Sequence, residues 1–218
     1  LSGFVGQHLQ SLLNADASEW ALLPATSRYD LAEPDSLEGL WPEMPDAVIH
    51  LAGQTFVPEA FRDPARTLNI DLLGTLNLLQ ALMARGFTCT FLYVSSGDVY
   101  GQVIETDLPI TEHQPPCPRN PYAVSKLSAE FLSLQWGLSE GWPVMVARPF
   151  NHIGPGQSDS FVIASAARQI SRIKQGLQAP QLEVGDIDVT RDFLDVNDVM
   201  SAYLALLEKG VPGQVYNI

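Results

Sequence analysis

Continuous apolar runs alternate with stretches of helical period along this chain. Apolar runs occupy residues 20–25, 47–52, 90–95 and 143–147, and each predicts a strand. Apolar positions recur at three- and four-residue spacing over 5–13, 67–84, 122–137, 162–175 and 196–207, which predicts five helices. The strand runs carry almost no alternating polar positions, as expected of strands covered on both faces. Strands and helices in alternation build a parallel sheet with helices on each side, so the fold class read from the pattern is α/β.

The pattern is punctuated in three places. Residues 102–119, rich in Pro and polar side chains, separate the run at 90–95 from the helix at 122–137, as either a lid or a passive connector. After Pro149 the periodicity loosens through Gly154-Pro155-Gly156, where a smaller lobe is expected to begin. The ends read as cut. Leu1-Ser2-Gly3-Phe4-Val5-Gly6 matches the later part of a Gly-x-x-Gly-x-x-Gly loop without its first glycine or preceding strand, and residues 213–218 stop inside a strand-like run.

Composition narrows the partners. The 218 residues are 46% hydrophobic and 17% charged, with a net charge of −13. That balance argues against nucleic acid or an anionic membrane as a partner, while local amides and a few Arg can still hold an anionic small molecule. Cys89 and Cys117 stand far apart without metal-ligand spacing, which reads as two free thiols in a reducing cytosol and no metal. No apolar run is long enough to span a membrane.

The chemistry gathers on Ser96, Tyr122 and Lys126. Tyr122 and Lys126 are four residues apart in Asn120-Pro121-Tyr122-Ala123-Val124-Ser125-Lys126, one helical turn, and Ser96 ends an apolar strand. An ammonium beside a phenol favours the phenolate and lowers its pKa, and a hydroxyl can hold a carbonyl oxygen against it. That set suits proton transfer in carbonyl/alcohol chemistry; an ordinary surface Tyr–Lys contact is the alternative. Gly3, Phe4, Val5 and Gly6, ahead of an amphipathic helix, would offer backbone amides to a pyrophosphate. Asp30-Leu31 follows a strand-like run, where the carboxylate either accepts from an adenine amino group or caps a turn. No acid ends the 20–25 run, and Arg28 lies nearby, either meeting a 2′-phosphate or simply solvated. His50-Leu51-Ala52-Gly53 ends a strand with small residues that admit a ligand, His50 itself reading as a packing residue.

Taken together these stretches resemble the extended short-chain dehydrogenase/reductase family, whose members act on nucleotide-linked sugars. The resemblance also runs through Leu73-Gly74-Thr75, Ser95-Ser96-Gly97-Asp98-Val99-Tyr100-Gly101, Arg148-Pro149-Phe150-Asn151-His152 and Arg191-Asp192-Phe193-x-Asp195, and covers essentially the whole chain. It implies a Rossmann-like doubly wound sheet with a smaller C-terminal substrate-binding lobe. Residues 1–150 would form the NAD(P)-binding domain, lacking its first strand. Residues 151–218 would form part of the substrate region, interleaved with the last sheet elements. It implies Tyr122 as proton donor, Lys126 as its ribose-binding helper and Ser96 on the reacting oxygen. Gly3, Phe4, Val5 and Gly6 would take the pyrophosphate, Asp30 and Leu31 the adenine, and Leu51, Ala52 and Gly53 the middle of the cofactor. Phe150 and His152 would stand near the nicotinamide, Asn151 and Asp98 on the sugar, and Arg191 on the diphosphate or ribose unless it pairs with Asp192 or Asp195. Asp71 stands where the family often has Asn, which puts the relay or ribose contact of that Asn in doubt.

Three reactions share such a scaffold. Dehydration needs an extra acid and base beside the Tyr, and Ser96-Gly97-Asp98 offers one carboxylate. Epimerisation of the fucose-synthase type needs a Cys in the Ser loop, which is absent, and a His where Phe161 stands. Simple 4-keto reduction needs only hydride and one proton. With the nucleotide, the sugar and the assembly taken from what the resemblance implies, the expected function is NADPH-dependent reduction, with NADH as the other cofactor choice, of GDP-4-dehydro-6-deoxy-D-mannose to GDP-D-rhamnose by a cytoplasmic homodimer or larger homo-oligomer. The alternatives are a GDP-mannose 4,6-dehydratase or related dehydratase/epimerase, and an inactive cofactor-binding fragment.

Overall fold

The structure, a computed structural model, describes residues 2–14 and 19–218; Leu1 of the glycine loop lies outside them. Four strands form a parallel sheet in the order β1 (Ala47–His50), β2 (Thr90–Val94), β3 (Val144–Arg148), β6 (Val215–Asn217). The registers pair Val48 with Phe91, Leu92 with Met145 and Ala147 with Tyr216. A second, two-stranded parallel sheet joins β4 (Asn151–Ile153) to β5 (Phe193–Asp195).

Both faces of the larger sheet are covered, as the unbroken apolar strands require. On one face Phe91, Tyr93, Val144 and Val146 pack with Leu78, Leu79 and Leu82 of α4 (Gly74–Ala84) and Ala129 of α5 (Pro121–Glu140). On the other, Leu92, Val94, Met145 and Ala147 pack with Leu9 of α1 (Phe4–Leu13) and with Val196, Val199, Met200 and Tyr203 of α7 (Val196–Lys209). Each side chain of this size, fully buried, contributes about 1.5–3 kcal/mol relative to exposure.

Predicted helices and observed ones differ instructively. The long helix predicted over 67–84 begins earlier, after the short α2 (Val57–Arg62), as α3 (Pro64–Leu68), and passes through a π-helical turn, Asn69–Leu73, before α4. Asp63 caps α3 by accepting from the Arg66 N–H. The helix predicted over 162–175 forms as α6 (Val162–Lys174), yet none of its residues is fully buried. The run at 20–25 does not form a strand. Pro24 cannot donate to a ladder, the segment is largely exposed, and it is tied by the Trp20 indole to Glu208 and by Thr26 to the backbone at Gly39 and Leu40. The 102–119 segment is fastened rather than free: the Cys117 N–H donates to Val99, Glu112 accepts from the Asn217 N–H, and the Ile110 carbonyl accepts from the Asn217 side chain.

Candidate active site

The end of β2 and the loop after β1 meet Lys126 in the early turns of α5, and the end of β3 meets the same helix at Glu130. Beyond β2 the chain turns through a short 3₁₀ helix, Gly97–Tyr100, and Ser96 caps it, its Oγ accepting from the Asp98 N–H at 3.2 Å. With that acceptor engaged, the hydroxyl proton remains for a partner in the crevice. At the start of α5, Asn120 accepts from the Ala123 N–H at 2.7 Å and Pro121 occupies the first turn, a pairing that suits a helix start. The Asn120 amide also reaches the Asp98 carboxylate at 3.4 Å, tying the Ser96 turn to the helix that carries Tyr122 and Lys126.

Tyr122 is buried, with the Ser96 side chain against its phenol. Burial pushes the phenol well above its ordinary pKa; Ser96 pulls it down, and the Asp98 and Asp71 carboxylates push it further up. The expectation that Lys126 lowers the Tyr122 pKa is therefore corrected for the protein alone. The Lys126 ammonium turns away to donate to the Val94 carbonyl at 2.7 Å and lies 5.1 Å from the centre of the Tyr93 ring. Its own pKa is lowered by burial and partly restored by Asp71. A phenol that holds its proton is the form a proton donor needs.

Phe150 closes the site above Gly97. A Cβ at position 97 would meet the Phe150 ring at 2.6 Å, so this glycine is required by close approach. His152 stacks parallel to Phe4 with ring centroids 6.2 Å apart, and His8 meets the Pro155 carbonyl at 2.9 Å, so α1 is fastened to the loop after β4. Asn151 is exposed and donates to the Asp192 carbonyl at 3.1 Å. Arg191 and Arg28 lie in exposed coil. Leu31 is buried against Gly74, and Asp30 closes its own turn by accepting from the Ala32 N–H. His50 is a packing residue: it meets the Thr75 hydroxyl at 2.9 Å, and burial, then Lys126, lower its pKa to about 3.

The residues present fit a dinucleotide. The N-terminus of α1 has Gly3 as its cap, no side-chain cap bond and no acid in its first turn. A Cβ on Gly3 would meet nothing within 4 Å, so no side chain fills that position, and the first-turn amides with the helix dipole are the groups that would hold a pyrophosphate. Ala52 is exposed just beyond β1, and a Cβ on the next residue, Gly53, would lie 3.5 Å from Lys126 Nζ.

Residue patterns alone did not assign a role to Asp71. It is buried, and it accepts from the Gln54 N–H at 2.7 Å and the Ser125 hydroxyl at 2.6 Å. The signal was its substitution for an Asn three residues before Gly74.

A family model described as GDP-mannose 4,6 dehydratase matches residues 24–218. GDP-6-deoxy-D-mannose reductase of Pseudomonas aeruginosa is 76% identical over all 218 residues, which span 72% of its length. GDP-6-deoxy-D-talose 4-dehydrogenase of Aggregatibacter actinomycetemcomitans is 30% identical over the whole chain, which spans 71% of it, and GDP-mannose 4,6-dehydratase of Vibrio cholerae is 33% identical over 84% of the chain, spanning 49% of that enzyme. The solved structure of RMD from Pseudomonas aeruginosa complexed with NADPH superposes with a TM-score of 0.98 at 76% identity, covering all of this chain and 74% of that one. With Ser96, Tyr122 and Lys126 gathered in one site, the family match and these likenesses place the chain: it belongs to the GDP-mannose 4,6-dehydratase family of extended short-chain dehydrogenase/reductases.

Proposed function

We propose that this chain reduces the C4 carbonyl of GDP-4-dehydro-6-deoxy-D-mannose to the alcohol of GDP-D-rhamnose, using NADPH. The likeness to a GDP-6-deoxy-D-mannose reductase supports the substrate class, and the relative solved with NADPH supports the cofactor. The observation that carries the choice of reaction is the packing of Phe150 on Gly97. Dehydration needs an acid and a base in addition to the Tyr, and Phe150 fills the volume that a side chain at 97 would need. Asp98 is left as the one carboxylate of that turn, which weighs against the elimination chemistry named in the family description, where Asp98 would have to act alone.

NADPH, when bound, supplies a hydride to C4. Tyr122 donates its proton to the C4 oxygen, and Ser96 hydrogen-bonds that oxygen as negative charge builds on it. The Lys126 ammonium would offset the negative charge left on the Tyr122 phenolate and would hold the nicotinamide ribose. Gly3, Phe4, Val5 and Gly6 bind the pyrophosphate; Asp30, Leu31 and Arg28 the adenosine end; Leu51, Ala52 and Gly53 the middle; Phe150 and His152 the nicotinamide side. Asp98, Asn151 and Arg191 face the sugar nucleotide. Residues 1–150 carry most of the cofactor site, with Ser96 and Asp98 reaching the substrate, and 151–218 supply part of the substrate region, with His152 reaching the nicotinamide, in a cytoplasmic homodimer or larger homo-oligomer. Among the described residues no helix is long and apolar enough to cross a membrane.

The test is loss of reduced-nicotinamide absorbance on adding the 4-keto sugar nucleotide, with the product identified by its stereochemistry at C4. Turnover of the GDP-linked keto sugar to GDP-D-rhamnose is expected. Cofactor binding without turnover, or turnover starting from GDP-mannose itself, overturns the proposal.

A further inference from the structure

Asp71 sits where the machinery of this site is most buried and least explained. It lies in the π-helical turn Asn69–Leu73, which interrupts the long helix between α3 and α4. Such turns widen the backbone locally and re-aim a side chain. Here the carboxylate is aimed at α5 and at the loop after β1, not along its own helix. Its Oδ1 accepts from the Gln54 N–H at 2.7 Å, and its Oδ2 accepts from the Ser125 hydroxyl at 2.6 Å. A Cβ on Gly53 would stand 3.0 Å from Asp71 Oδ1 and 3.5 Å from Lys126 Nζ, so carboxylate and ammonium flank the same small volume under Gly53.

We infer that Asp71 is a positioning residue of the reaction: an ionised carboxylate that serves as the buried counter-charge of Lys126, keeps it an ammonium, and so sets the upper pH limit of activity. This rests on the reductase reading given above. Lys126 is buried, and its ammonium donates to a neutral carbonyl and lies over the uncharged Tyr93 ring. Neither group supplies negative charge, and an ammonium removed from water without a countercharge tends to lose its proton. Two donors at 2.6 and 2.7 Å are the short contacts an ionised acceptor makes.

The charged and titratable groups around this pair come from every neighbouring element. Lys126 and Tyr122 face it from α5, Tyr93 from β2 and His50 from β1; Asp98 bears on Tyr122 from the 3₁₀ turn, Tyr203 of α7 faces Tyr122, and Glu130 of α5 bears on Tyr93. His50 is neutral at working pH, and the tyrosines are held protonated by burial. Asp71 is thus the negative charge that acts on Lys126 directly. On balance the Asp71 pKa is raised: burial raises it most, and Lys126, Ser125 and Gln54 pull it only part of the way back, so the case for an ionised Asp71 stands on its two short donors and the adjacent ammonium.

The sign follows without assigning the titration to one group. Removing a negative charge lowers the pKa of every neighbouring acid, Lys126 and Tyr122 alike. The alkaline limb of the kcat profile must therefore move to lower pH in Asp71→Asn. That variant is isosteric: the amide oxygen can still accept from Gln54, while the amide NH₂ donates to Ser125, which has the Tyr122 carbonyl at 2.8 Å as its own acceptor. Charge is removed with the packing kept.

The experiment compares wild type, Asp71→Asn and Ser125→Ala for NADPH-dependent reduction of the 4-keto sugar nucleotide across pH. Wild-type turnover comes first; its absence sinks the reductase reading, whereas the limb positions judge this inference alone. Asp71→Asn is expected to shift the alkaline limb down by about one to two pH units, the scale of one unit charge at this range in a protein interior. KM at low pH stays within about threefold, and Ser125→Ala, which keeps the carboxylate, stays within a few tenths of a unit of wild type. Coincident limbs for wild type and Asp71→Asn overturn the inference, whether or not kcat falls. Carboxyl NMR of labelled aspartate in the wild-type protein, with the Asp71 signal assigned through its displacement in Ser125→Ala, gives a second reading. Asp71 is expected to be ionised at neutral pH; a protonated Asp71 overturns the inference even if Asp71→Asn fails to fold.

Discussion

Tyr122 illustrates how a residue's chemistry is set by what surrounds it. Its spacing from Lys126 is local and was readable from one helical turn. The direction of its pKa was not, because burial raises it more than the Ser96 hydroxyl lowers it, while the Lys126 ammonium donates to the Val94 carbonyl. Asp71 is the same lesson reversed: its identity is plain in the sequence, while its partners Gln54 and Ser125 come from two other elements. For a reductase a raised phenol pKa keeps the donor loaded at neutral pH. Tyr122→Phe removes that proton and little else, since the ring stays and the lost hydroxyl contacted only the crevice side. Stopped-flow measurement of NADPH oxidation should show kcat lowered by about 10²–10⁴, the usual contribution of a positioned acid. NADPH affinity should hold within a few-fold. A kcat within threefold of wild type would remove Tyr122 from the mechanism.

Among the elements, α5 binds the site to the sheet through a buried ion pair. Arg148 at the end of β3 donates to Glu130 of α5 through Nε at 3.1 Å and Nη2 at 2.5 Å, and through Nη1 to the Tyr100 hydroxyl at 2.8 Å. Tyr100 in turn donates to Asn217 of β6 at 2.6 Å, so one network joins α5, β3, the 3₁₀ turn and β6. The sequence showed Arg148 only as part of a motif, because Glu130 lies eighteen positions earlier and a helix face gives no sign of its partner strand. Arg148→Met leaves Glu130 buried without its cation, and urea unfolding should show about 3–5 kcal/mol lost. Adding Glu130→Leu should return part of that loss, since two apolar groups need no desolvation. A double variant less stable than the single would count against the network. The element boundaries that periodicity missed have the same origin. The helix predicted over 67–84 is readable as a helix, but its π turn coincides with Asp71, whose partners lie outside that helix. The apolar run at 20–25 has strand-like composition yet pairs with no strand among the described residues.

At the scale of the molecule, the crevice collects parts from both layers of helices. The cofactor path proposed here runs from the α1 amides, past Ala52, to Tyr122 and Lys126 on α5, and ends beside Phe150 and His152. Helix α1 packs with α7 on one face of the sheet, and α5 packs on the other. The doubly covered parallel sheet was legible because its strands read as unbroken apolar runs; which strand ends meet was not, since that depends on β6 returning beside β3 after α7. A ligand that touches both layers stabilises the folded chain as a unit, by RT ln(1 + [L]/Kd). At one hundred times its Kd, NADPH should add about 2.7 kcal/mol, which for a chain of this size raises Tm by roughly 5–11 °C. The net charge of −13 does not prevent this, because the α1 amides and Lys126 act at contact distance while the surface charge is screened beyond about 8 Å at physiological salt. Hydrogen exchange should show protection rising in α1 and in the first turns of α5 together. Protection confined to α5, with α1 unchanged, would mean that the Gly3–Gly6 amides do not hold the pyrophosphate.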